Sequence, residues 1–196
     1  MQDNYSKSNW YVITGGPSSG KTTLIKELSK LGYITCPEIA RILIDKEIKN
    51  GKSVKEIRGD EIEFQRKVLK MKLEKEKRIP RDQVVFFDRA IPDSIAYYQI
   101  CGLDIKEVLK FCLEKRYRII FFLEQLPFDQ DYARIEDRKT IEKLNHLLKE
   151  SYKNLGYKLI EIPAMSVKER LKKILNFINR ETNTRMQNTL PNKLLR

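Results

Sequence analysis

The segment Gly15-Gly16-Pro17-Ser18-Ser19-Gly20-Lys21-Thr22-Thr23 has the residue types needed to hold an anion. It satisfies G-x-x-x-x-G-K-[ST] at each fixed position. Small residues let successive backbone N–H groups turn inward around a phosphate, and a helix starting at Lys21 aims its positive end at the same point. Lys21 adds a mobile cation for the outer phosphates, and the Thr22 hydroxyl is placed to hold Mg²⁺. The chemistry this implies is the binding of a nucleoside triphosphate, ATP, with Mg²⁺.

A second set of residues lies where strands end. Asp88 closes the apolar run Val84-Val85-Phe86-Phe87 and either meets Mg²⁺ opposite Thr22 or caps the helix ahead of Pro92. Arg89 follows, where many motor and transporter ATPases carry a Glu that activates water. An Arg there grips phosphate and suits a kinase. Glu38 is either a general base for an acceptor hydroxyl or a first-turn acid paired with Arg41. Glu38, Arg41, Gln65 and Arg89 form the expected acceptor-binding set. Gln65 falls on the apolar face of a helix with Ile62, Phe64, Val68, Leu69, Met71 and Leu73, where its amide reads a base or sugar edge or is satisfied by backbone. Arg134 and Arg138 lie one turn apart if their segment is helical. They are either a lid over the triphosphate or a solvated pair beside Glu136 and Asp137.

These residues need a scaffold. Trp10-Tyr11-Val12-Ile13 reads as a buried strand, and Leu24, Ile25, Leu28 and Leu31 recur at helical spacing before Gly32. Tyr33 to Thr35 is a short second strand, and Pro37 opens a helix over 38–49 that Asn50-Gly51 ends. Residues 53–59 read as a surface connection and 60–77 as a long helix. Strands are expected over 84–87, 119–123 and 157–162. Helices are expected after Pro92, over 105–115 behind Asp104, over 139–155 and from Ser166 to 179. Residues 124–138 read as a mobile loop. Alternating strands and helices give an α/β fold, a parallel sheet covered on both faces, with ligands at the carboxyl ends of its strands.

The chain of 196 residues suits one domain over 9–180, with a frayed segment 1–8 and a loose, polar, basic tail over 181–196. Lys and Arg number 39 against 27 Asp and Glu, a formal charge of +12. That charge raises the question of nucleic acid, but acids interrupt the basic residues and no basic run is interleaved with aromatics. The cysteines Cys36, Cys101 and Cys112 form no C-x-x-C pair, which points to reduced thiols and a cytoplasmic setting. His146 is the only histidine, which argues against a His-based metal site or a Ser-His-Asp triad. No apolar run is long enough to span a membrane.

The loop from Gly15 to Thr23, Pro37-Glu38-Ile39-Ala40-Arg41, Phe64-Gln65, Phe87-Asp88-Arg89 and the stretch from Leu126-Pro127 to Arg138 together resemble a family of small predicted ATPases. That family is filed among AAA domains and looks like nucleotide kinases. The resemblance covers about residues 10 to 178 and extends, more distantly, to ribosylnicotinamide kinase and deoxynucleoside kinases. It implies a five-stranded P-loop sheet of order 2-3-1-4-5. It also implies a base at Glu38, a metal and phosphate role for Asp88-Arg89, and lid arginines at Arg134 and Arg138.

The leading expectation is an ATP- and Mg²⁺-dependent phosphotransferase acting on a nucleoside, nucleotide or related metabolite. Lys21, Arg89, Arg134 and Arg138 would stabilise the moving phosphoryl group. A regulatory ATPase that switches a partner is the alternative, and a nucleic-acid-linked ATPase the third. The absence of N-K-x-D disfavours a GTPase. The short chain, the lack of a small helical C-terminal domain and Arg89 disfavour a hexameric motor.

Overall fold

The computed structural model of the protein describes residues 8–113, 116–126 and 138–189. Five strands, β1 (Trp10–Thr14), β2 (Ile34–Cys36), β3 (Val85–Asp88), β4 (Ile119–Leu123) and β5 (Leu159–Ile162), form one sheet of order β2-β3-β1-β4-β5. All neighbours are parallel. The helices are α1 (Lys21–Lys30), α2 (Ile39–Lys49), α3 (Val54–Ile57), α4 (Glu61–Lys77), α5 (Asp93–Ile100), α6 (Lys106–Leu109), α7 (Arg138–Asn154) and α8 (Val167–Thr189).

The unbroken apolar strands follow from burial on both faces. Alternate side chains serve opposite layers. Tyr11, Ile13, Phe86, Phe121 and Leu123 pack with Leu24, Leu28, Ile174 and Ile178 of α1 and α8. Trp10, Val12, Val85, Phe87 and Ile120 pack on the other face with Tyr117 and Tyr152. The central strands thus bring the ends of β1 and β3 side by side, with Ile13 opposite Asp88.

Several elements differ from the sequence reading. The connection over 53–59 contains α3, closed by a capping box between Ser53 and Glu56. The helix expected over 105–115 is only α6. Phe111 N–H bonds Val108 at 2.9 Å and Cys112 N–H bonds Leu109 at 2.8 Å, i−3 bonds that tighten the chain and turn Cys112 into the core. Asp104 accepts from Lys106 N–H at 2.9 Å, as a cap would. The last helix continues to Thr189, well into the expected loose tail. Its polar composition contains no Gly or Pro before Pro191, so nothing local stops it. On α4 the buried stripe runs through Phe64, Gln65, Val68, Leu69, Lys72 and Glu76, and Ile62 is exposed.

Candidate active site

The phosphate-binding loop leaves β1 and enters α1. Gly15 has φ 139°, Ser18 φ 57° and Gly20 φ 82°, so the backbone turns through left-handed positions that aim its amides inward. A Cβ on Gly15 would lie 2.5 Å from the Leu123 carbonyl oxygen. Residues 15 to 19 are buried, and Thr22 and Thr23 stand exposed at the start of α1. Lys21 is buried, and its Nζ donates to the Gly16 carbonyl at 2.7 Å and to Ser19 Oγ at 3.3 Å.

Three side chains outside the motif hold this loop. Asn145 of α7 accepts from Gly16 N–H at 2.7 Å and donates to Gln125 Oε1 at 3.3 Å, while Gln125 donates to the Pro17 carbonyl. Arg170 of α8 is buried and spans the Ser19, Glu124 and Pro163 carbonyls, reaching the last two at 3.0 Å. None of the three was expected. Nothing in the residues beside each of them marks it, and only the fold brings it to the loop.

Asp88 sits where the strand order places it, across from the loop. Thr22 Oγ1 donates to Asp88 Oδ2 at 3.0 Å, and the buried Asp88 Oδ1 has no hydrogen-bond partner among the described residues. Asp88 therefore does not cap the helix ahead. No side chain caps α5; Asp93, its first residue, instead accepts from Ala90 N–H at 2.8 Å and closes the turn before the helix. Burial, reinforced by the Glu38 charge, pushes the Asp88 carboxyl up to about 6 despite Lys21 and Arg89 nearby. An orphaned carboxylate oxygen beside an exposed hydroxyl is a donor set suited to a hard cation such as Mg²⁺.

Arg89 has φ 65°, a left-handed position held by its neighbours. Its Nε donates to Glu38 Oε1 at 2.9 Å, its Nη1 lies 3.3 Å from Asp93 Oδ1, and its guanidinium stands 5.3 Å from the Tyr97 ring centre. Burial works against the Arg89 charge, but Tyr97, Glu38, Asp93 and Asp88 outweigh it. Asp93 is fully buried and also accepts from the Thr14 and Tyr152 hydroxyls. Lys72, buried on α4, donates to the Ala90 carbonyl at 2.9 Å and Ser94 Oγ at 3.0 Å, tying the turn after Arg89 to α4.

Glu38 is the N-cap residue of α2 and makes no capping bond, which leaves its carboxylate for Arg89. Burial would raise this carboxyl, yet Arg89, Lys21 and Arg41 together hold it below its ordinary range. Gln65 meets a side chain rather than backbone, donating from Nε2 to Glu61 Oε1 at 2.7 Å. Glu38, Arg41, Gln65 and Arg89 all line one recess, together with Pro17 of the loop and Lys72 of α4. Arg134 and the Arg138 side chain lie outside the described residues, and the Arg138 backbone begins α7.

A family model described as AAA domain matches residues 10–170. The chain belongs to that family. Among solved structures it is similar to deoxyadenosine kinase from M. mycoides, at 19% identity and a TM-score of 0.61 over 87% of this chain and 98% of that one. It is similar also to thymidylate kinase from Ehrlichia chaffeensis, at 15% identity and a TM-score of 0.62 over 87% and 97%. The NadR protein in complex with NR matches at 19% identity and a TM-score of 0.56, over 79% of this chain and 45% of that one. No curated protein matches the chain. Like the sheet order, these likenesses place the AAA-domain chain in the fold of P-loop nucleotide kinases. The ends of β1 and β3 stand side by side in that fold, with Ile13 opposite Asp88.

Proposed function

We propose that this protein is an ATP- and Mg²⁺-dependent phosphotransferase acting on a nucleoside, nucleotide or related small metabolite. The observation that carries this reading is a recess lined by Glu38 and Arg89 that opens beside Pro17 of the phosphate-binding loop. A pure hydrolase needs no such second pocket. Thr22 and Asp88 would hold Mg²⁺, which when bound neutralises phosphate charge and orients the triphosphate.

The chain's own groups supply the rest. Lys21 leaves its loop contacts for the outer phosphates, and Arg89, fixed from two sides, faces the charge that moves between donor and acceptor. Glu38 is kept ionised and accepts a hydrogen bond from the acceptor hydroxyl, aligning its oxygen. The new bond joins that oxygen to the terminal phosphorus. The bond to the bridging oxygen breaks with its electron pair going to ADP, and the hydroxyl proton passes through Glu38 to solvent. An acceptor that is already a phosphate needs no proton removed.

The test is a panel of nucleosides, nucleotides and vitamins, scored by ADP formed. At least one acceptor should raise ADP production above background. Lys21→Ala should abolish tight ATP-Mg²⁺ binding, and Glu38→Gln should remove acceptor-dependent turnover while ATP still binds. If no acceptor raises turnover, the switch ATPase replaces the kinase. Unchanged ATP affinity in Lys21→Ala overturns the loop assignment.

A further inference from the structure

Glu61 accepts more than the Gln65 amide. Arg58 grips the same carboxylate through Nε and through Nη2, the latter at 2.9 Å from Oε1, and its guanidinium lies 4.9 Å from the Phe64 ring centre. Arg58, Phe64 and Gln65 all line the recess. Gln65 is 4% exposed, and its Oε1 takes no partner among the described residues. An ionised carboxylate only accepts. The nitrogen end of the Gln65 amide must therefore be the end turned to Glu61, and Arg58 keeps Glu61 in place to impose it.

An amide with a fixed direction reads a ligand edge in one order. Its oxygen accepts an N–H, and the second proton on its nitrogen donates to the neighbouring acceptor. Amino-substituted rings place the exocyclic donor beside a ring-nitrogen acceptor, and oxo-substituted rings place an exocyclic acceptor beside a ring N–H. The two orders are opposite. We propose that Glu61 is a positioning residue that sets the direction of the Gln65 amide, so that the recess takes one class of nitrogen heterocycle, amino or oxo, and rejects the other. This rests on the recess being the acceptor site. A glutamine at position 61 both donates and accepts, which frees the Gln65 amide to turn over.

The experiment is calorimetric binding to the full chain, with adenosine against inosine and cytidine against uridine as probes. In the wild-type protein at least one pair should differ in affinity by about tenfold or more. Glu61→Gln should bring that ratio toward one while the affinity for ATP-Mg²⁺ stays unchanged, a selectivity change that a merely structural role would not produce. A wild-type ratio near one in both pairs overturns the proposal without recourse to any variant, and so does a ratio unchanged in Glu61→Gln. If ATP binds but none of the four probes does, the reading of the recess as an acceptor site for such rings falls, and this proposal with it.

Discussion

Replacing Asp88 by Asn should make the metal-free protein more stable while removing its response to Mg²⁺. Asp88 is 1% exposed, and one carboxylate oxygen has no hydrogen-bond partner among the described residues. Burial and the neighbouring Glu38 raise its carboxyl from an ordinary 3.8 to about 6, with Lys21, Arg89 and Thr22 supplying partial relief. For an acid raised on folding, the folded state binds the proton more tightly than the unfolded chain does. The charge therefore costs nothing below the unfolded value, and the cost grows as pH rises from about 4 to 6 and stays at its full size above that. At about 1.4 kcal/mol per pH unit, it is about 1 kcal/mol at pH 4.5 and about 3 kcal/mol at pH 7.5.

Asn is nearly isosteric and still accepts from Thr22, so the variant removes this cost and little else. Each kcal/mol moves Tm by about 2–4 °C in a domain of this size. Melts in EDTA should then show Asp88→Asn above wild type by about 6–12 °C at pH 7.5 and by much less at pH 4.5. With ATP present throughout, added Mg²⁺ should stabilise wild type further by mass action and leave the variant little changed. A variant less stable than wild type at pH 7.5, or a difference that does not change with pH, refutes the argument that Asp88 is held at a cost for a cation.

Two further outcomes test the shell around the loop. Arg170→Ala removes hydrogen bonds to three backbone carbonyls, that of Ser19 buried, and should cost about 2 kcal/mol in urea unfolding, and Arg170→Lys should rescue little because one ammonium cannot span them. A Cβ on Gly16 would lie 2.6 Å from Asn145 Oδ1, so Gly16→Ala and Asn145→Ala should be strongly non-additive. A double-mutant cycle read by denaturant unfolding should give a coupling of about 1 kcal/mol or more, and additivity within error would show that Asn145 does not hold the loop.

Much of the architecture was legible because burial on both faces writes itself into consecutive apolar residues. Trp10 to Ile13, Val85 to Phe87 and Ile119 to Leu123 needed no other cue. Boundaries failed where the cue was weak. The segment after Asp104 keeps helical spacing, yet tertiary burial of Cys112 ends α6 early. The segment after Asn179 looks like a tail by composition, yet α8 carries through it. On α4, Gln65, Lys72 and Glu76 share the phase of Val68 and Leu69, so buried polar residues could be read from the period. Their partners could not.

The phosphate-binding loop, the parallel sheet and the acids at the strand ends follow from local rules. Backbone flexibility, apolar runs and helix-start signals act over a few residues, and neighbours in sequence suffice to read them. What Asp88, Glu38 and Arg89 do to one another belongs to the tertiary structure. Glu38 looks toward Arg41 in sequence and bonds Arg89 in space, and Asp88 bonds Thr22 instead of capping the helix ahead. The supports of the loop, Asn145, Gln125 and Arg170, come from elements far along the chain. Hydrogen bonds and charges act over a few ångströms, and only the folding of the sheet and its helices decides which distant residues stand within that range.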